Sequence, residues 1–258
     1  MLEKQMSIVR IGICQVFLID GDRGGNFVRI ERGIAEAKAG GAEIACLPEM
    51  AVLGWVNPEA HERAFAIPGA DSERLCGLAK EYGIFVCAGL AEKNGDALYD
   101  SAVLIDDGGE ILFKHRKINL LAELMDPPYT AGREVGAVQT RLGRIGMLIC
   151  ADTHEDSILE RMGALQPGLL VVPYGYAAVE GDWPGHGKEL ERVVCHAGRM
   201  AGAAAVGTNS VGAISNGPWK GRVYGGQSVI ADKNGQIVAR ARDRDRDVLV
   251  VAVEIGGR

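Results

Sequence analysis

Apolar residues in this chain cluster with two periods. Near-continuous apolar runs of strand length stand at 7–17, 43–47, 84–90, 169–173 and 204–208, and they predict strands buried on both faces. Helical spacing marks 26–39 (Phe27, Ile30, Ile34, then the stop Gly40-Gly41) and 72–82 (Leu75, Leu78, Ala79). It recurs at 156–165 (Ile158, Leu159, Met162) and 186–202 (Leu190, Val193, Val194, Ala197). Turn chemistry pairs the remaining runs. Strands at 97–105 and 110–114 flank Asp106-Asp107-Gly108-Gly109, and strands at 135–140 and 144–150 flank Leu142-Gly143. Strands at 226–231 and 237–241 flank Asp232-Lys233-Asn234-Gly235, and a last strand spans 248–253. Residues 116–132 form a long polar, proline-containing loop, the kind that often carries function. Helix-connected strands together with hairpins predict a layered α/β domain with mixed sheets, in preference to a doubly wound sheet or a barrel.

Composition narrows the class without changing the fold. The 258 residues are 47% hydrophobic and 24% charged, enough for a large core. No linker or repeat interrupts them, so a single domain over 1–258 is expected. A net charge of −6 with no basic stripe argues against nucleic acid. The alternating charges from Arg240 to Asp247 read as a solvated loop. No run is long enough to span a membrane, and residues 1–16 lack a signal-peptide core. Six cysteines without a CxxC pair fit reduced thiols in a cytoplasmic protein.

Three strand ends carry the candidate chemistry. Cys150 closes the apolar run 144–150 and opens the polar run 151–156. Glu49 follows Leu47-Pro48, and Lys117 follows His115-Arg116. A thiol needs a base to become a nucleophile, and an oxyanion needs a cation, so the three form a plausible set. Alone, each has a plainer reading: a packed core thiol, a surface carboxylate, a solvated lysine. The acidic run Asp152 to Asp156 has no second ligand motif, so helix capping by Asp152, Thr153 or Asp156 is preferred to metal binding.

Leu-Pro-Glu at 47–49, His-Arg-Lys at 115–117 and Gly-Met-Leu-Ile-Cys-Ala-Asp at 146–152 together resemble the nitrilase superfamily of carbon–nitrogen hydrolases. Pro173, Thr208 to Gly212 and Gly225 to Ile230 extend the resemblance over essentially the whole chain. It implies a four-layer α-β-β-α sandwich with two mixed β-sheets, no cofactor or metal, and a homodimer or larger homo-oligomer. It implies Glu49, Lys117 and Cys150 as the catalytic triad. A second, supporting glutamate often stands in the loop after the lysine, where Glu123 is the nearest match. The helix at 186–202 departs from the family pattern: the glutamate and asparagine of Arg-Ala-x-Glu-Asn are absent from His196 to Ala201. Subunit and pocket detail from that helix is therefore not carried over.

The resemblance implies hydrolysis through a cysteine thioester. Ala151-Asp152 after the cysteine looks more like amidases and carbamoylases than nitrile-specific members, which usually carry Trp-Glu. A small amide or N-carbamoyl substrate is expected. Nitrile hydrolysis, acyl or amide-nitrogen transfer, ammonia delivery to a separate partner, and a non-catalytic scaffold are the alternatives. Trp55, Ala151, Tyr174 and Trp183 are the substrate-binding candidates, with Tyr176, His186 and the 125–129 loop beside them.

Overall fold

The computed structural model describes residues 7–256. The first half of the chain runs β1 (Ser7–Gln15), α1 (Arg23–Ala39), β2 (Ile44–Cys46), α2 (Ala60–Arg63), α3 (Ala70–Tyr82), β3 (Phe85–Asn94), β4 (Ala97–Ile105) and β5 (Ile111–Arg116). The second half runs β6 (Gly136–Thr140), β7 (Gly143–Met147), α4 (Asp156–Ala164), β8 (Leu169–Pro173), β9 (Ala177–Ala178), α5 (Gly185–Ala201), β10 (Ala204–Thr208), β11 (Val211–Ala213), β12 (Val223–Gly225), β13 (Val229–Ala231), β14 (Ile237–Arg240) and β15 (Asp247–Ile255).

Two six-stranded sheets result, ordered β15-β1-β2-β3-β4-β5 and β14-β13-β10-β8-β7-β6. Each has three parallel strands at its centre, and the outer strands join by antiparallel pairing. The sheets face one another. Helices α1 and α3 cover the first from outside, and α4 and α5 cover the second. This is a four-layer α-β-β-α sandwich. Alternation along the strands builds it: Val9, Ile11 and Ile13 of β1 enter the core between the sheets, whereas Cys14 turns to α1. A small third sheet is ordered β11-β12-β9, and Val211 of β11 bridges to Phe17 just after β1.

Of the boundaries that differ from the sequence expectation, two have a clear local cause. Helix α1 starts at Arg23, because the Asp22 carboxylate accepts from Gly25 N–H (3.1 Å) and draws Gly24-Gly25 into the first turn. Strand β7 ends at Met147, short of Cys150. There the Asp152 carboxylate takes the Ile149 N–H (3.0 Å) and Cys150 turns into the left-handed region at φ 40°, opening a 3₁₀ turn.

Sheet direction gathers two of the three strand ends, those that carry Glu49 and Lys117. Strands β1, β2 and β3 are parallel, and two antiparallel steps through β4 return β5 to the same direction. The chain past β2 and past β5 therefore emerges at one end of the first sheet. Strand β4 begins there.

Candidate active site

Glu49 leaves β2 through Pro48, and only glycine lets it cross β3. A Cβ on Gly89 would lie 2.5 Å from Glu49 Cα and 2.7 Å from Met50 N, closer than backbone tolerates. Lys117 follows β5 directly, and its backbone N–H donates to Asp100 O on β4 (2.8 Å). Its Nζ donates to Glu49 Oε1 at 2.6 Å and to Asp100 Oδ2 at 3.3 Å. All three side chains are buried. The second sheet supplies the rest: Gly175, just past β8, donates its N–H to Glu49 Oε2 (2.5 Å), and Glu49 N–H donates to Tyr174 O (3.3 Å). Gly175 has no room for a side chain, as a Cβ would stand 2.8 Å from Glu49 Oε2.

Cys150 comes to this cluster on its strained turn. A non-glycine residue at positive φ costs about 1–3 kcal/mol, so the surroundings must hold it. Thr153 does so, its hydroxyl donating to Cys150 O (2.7 Å) while pairing with the Tyr174 hydroxyl (2.7 Å). Burial pushes the Cys150 thiol well above its usual range, and Glu49 adds to the push while Lys117 opposes it. The resting group is a neutral thiol that needs a base. Burial alone would lower the Lys117 ammonium, but Glu49 and Asp100 reverse that and hold it firmly protonated.

Asp152 locks the two strand ends together. Its Oδ1 accepts from Ile118 N–H and Asn119 N–H (both 2.8 Å), next to Lys117. Its Oδ2 accepts from Ile149 N–H (3.0 Å), next to Cys150, and pairs with His115 Nε2 (2.8 Å). Asn119 Nδ2 adds a bond to Ala151 O (2.8 Å). One buried carboxylate thus ties the lysine loop to the cysteine turn.

The family described as carbon–nitrogen hydrolase matches residues 10–257. The chain belongs to that family. It is similar to a nitrilase of Pyrococcus abyssi, 28% identical over 243 residues, 89% of this chain and 84% of that one. It is equally similar to an omega-amidase of Xenopus tropicalis, 28% identical over 249 residues, 92% of this chain and 85% of that one. Among solved structures, an amidase of Nesterenkonia sp. superposes with a TM-score of 0.81 at 22% identity, covering 95% of this chain and 90% of that one. The four-layer fold is shared with that amidase. The protein is a carbon–nitrogen hydrolase.

The hydrolase opens at Cys150 into a cavity of about 330 Å³. Trp55 and Ala151, expected to meet substrate, line it. Tyr174 and Trp183 do not reach it. Tyr174 is wholly buried behind the wall on Thr153, and Trp183 packs edge-on against His186, which does line the cavity. Glu123 sits exposed on a short 3₁₀ turn, with no hydrogen bond to Lys117. The second carboxylate on the lysine is instead Asp100, which the sequence reading passed over. Its one available signal was an acidic residue inside an otherwise apolar hairpin strand. Asn119, His154, Trp219 and Arg222 also line the cavity without any motif to mark them. Among the described residues, no group of three or more His, Cys, Asp or Glu side chains is placed to hold a metal ion. No helix among them is long and apolar enough to cross a membrane.

Proposed function

We propose that this hydrolase cleaves a small amide or N-carbamoyl compound with Cys150 as nucleophile, Glu49 as proton carrier and Lys117 as oxyanion donor. One observation carries the reading. Glu49 and Lys117 are paired at 2.6 Å and shut away from solvent, while Cys150, whose thiol feels both charges, faces the cavity. Glu49 takes the thiol proton as Sγ bonds to the carbonyl carbon. The oxygen, now negative, is met by a Lys117 N–H and by the Ala151 backbone N–H. Collapse breaks the carbon–nitrogen bond, and the amine leaves with the proton from Glu49. Water then gives a proton to Glu49 and attacks the thioester, and Cys150 departs and is reprotonated.

Arg222 shapes the substrate preference. Its guanidinium lies 4.1 Å over the Trp219 ring, lines the cavity, and has no ion-pair partner among the described residues. A carboxylate on the substrate would complete it. Likeness to an omega-amidase and to an amidase supports the amide reading. Likeness to a nitrilase makes nitriles part of the substrate panel. Six free thiols support a cytoplasmic setting for a single domain. The homo-oligomer implied by the resemblance is checked by light scattering.

The test is intact-mass spectrometry after brief iodoacetamide treatment near neutral pH. One fast alkylation is expected, absent in Cys150→Ala and slowed in Glu49→Gln. A Cys150 that reacts no faster than the other thiols sinks the proposal. Adducts trapped from amide and nitrile panels then choose between the substrate classes, and hydroxylamine separates transfer from hydrolysis.

A further inference from the structure

Two carboxylates, not one, face Lys117 inside the site. Asp100 is 1% exposed and grips the lysine twice, through its carbonyl on the Lys117 N–H (2.8 Å) and through Oδ2 on Nζ (3.3 Å). Its other oxygen, Oδ1, is buried with no hydrogen-bond partner among the described residues. The Glu49 carboxylate is its neighbour, because both carboxyl groups accept from the same Lys117 Nζ, at 2.6 and 3.3 Å. Two ionised carboxylates and one ammonium would leave a net negative charge in a site buried from solvent, with an orphaned oxygen besides. A proton on Asp100 removes both costs, because the neutral acid donates to Glu49 and still accepts from Lys117 through its carbonyl oxygen.

We propose that Asp100 is the fourth member of the active site, a neutral carboxyl group that positions Lys117 and Glu49 for the reaction at Cys150. The inference rests on the reading of Cys150, Glu49 and Lys117 given above. An ammonium has three N–H donors. Glu49 takes one and Asp100 a second, which leaves the third for the oxyanion. When Glu49 accepts the thiol proton it loses its charge and with it much of its hold on the lysine. Asp100 keeps the ammonium in place through that step. Burial, then the neighbouring Glu49, raises the Asp100 carboxyl well above the usual carboxylate range, in line with the neutral form. The titratable groups facing it are Glu49 after β2, Lys117 after β5, Cys150 after β7, and Tyr129, whose buried hydroxyl also lacks a partner among the described residues.

The experiment follows the rate of iodoacetamide alkylation at Cys150 by intact mass, in the full chain, from about pH 6 to about pH 10. Asp100→Asn reproduces a neutral carboxyl: its oxygen accepts from Lys117 and its amide donates to Glu49. Asp100→Ala removes both contacts. The expected result is that Asp100→Ala slows alkylation by about tenfold or more, because Glu49 is no longer held in place as the base for the thiol. Asp100→Asn recovers most of that loss near neutrality, and its profile departs from wild type only as pH rises and the native acid ionises. Two results overturn the proposal. One is an Asp100→Asn rate offset from wild type equally at every pH, which marks an ionised aspartate. The other is alkylation indifferent to both substitutions, which marks a bystander. If Asp100→Ala fails to fold, the Asp100→Asn profile decides alone. Fast alkylation that persists in Cys150→Ala would refute the underlying site assignment instead, so the two failures are distinct.

Discussion

Asp152→Ala should damage this protein more than any surface change, and the size follows from its bonds. The carboxylate accepts three backbone N–H groups, at Ile118, Asn119 and Ile149, and pairs with His115 Nε2, at 2.8–3.0 Å throughout. It is wholly buried, and so is the His115 ring, whose Nδ1 already lacks a partner among the described residues. Each donor stranded by truncation costs about 1–3 kcal/mol. Water entering the small cavity would return part of that, so a net loss of about 3–5 kcal/mol is expected from the four donors left behind. Asp152→Asn is the graded control. Its oxygen, in the place of Oδ1, still serves Ile118 and Asn119. Its amide then confronts Ile149 N–H, while His115 changes tautomer to accept from it. One stranded donor predicts about 1–3 kcal/mol. Urea unfolding measures both, provided the slope against denaturant stays at the wild-type value. Alkylation of Cys150 in the folded variants should slow as well, because the clamp sets the cysteine turn against the lysine loop. A loss below about 1 kcal/mol for Asp152→Ala would show that the clamp is not what joins the two strand ends.

Gly175→Ala places a Cβ 2.8 Å from Glu49 Oε2 and 3.0 Å from Trp55 Cγ. Turnover should fall by about 10²-fold through displacement of Glu49, with the melting temperature nearly kept; an active variant would mean that Glu49 needs no fixed position. Alkaline pH should unfold the protein through its buried thiols. Burial pushes Cys14 and Cys87 up to about 12, with Glu36 adding to the shift at Cys14. These folded values exceed the unfolded value of 9.0, so their stabilisation is complete below that pH and is lost as pH rises through about 12. Each thiol contributes a slope of about 1.4 kcal/mol per pH unit there, and Cys87→Ala should remove one such increment from urea titrations run across the window. Arg222→Ala should cost roughly tenfold in kcat/KM on amides that bear a carboxylate and little on uncharged ones. Equal losses on both would assign Arg222 to packing on Trp219.

What was legible in the sequence was whatever local pattern controls. Helix faces such as Phe27, Ile30 and Ile34 and buried runs such as Leu169–Pro173 follow directly from period and length. Glu49, Lys117 and Cys150 stood out because each polar group interrupts an apolar run at its end. The missed parts depend on pairing between distant segments. Trp219 and Arg222 lie in a stretch without period, and they reach the cavity because β12 pairs with β9 and β11 in the small third sheet. Asp100 was hidden for a related reason. Its neighbour Ser101 pairs with Arg116 across the β4–β5 hairpin, so Asp100 lies beside Lys117 whatever path the 116–132 loop takes. A carboxylate on that loop, such as Glu123, needs the loop to fold inward and pays for ordering it. A carboxylate at the start of β4 is placed by strand register alone, and the two bonds from Lys117 to Asp100 are the consequence. The end of a sheet where parallel strands finish and an antiparallel neighbour begins therefore offers positions on both kinds of strand. Reading only the strands that end there leaves half of those positions unexamined.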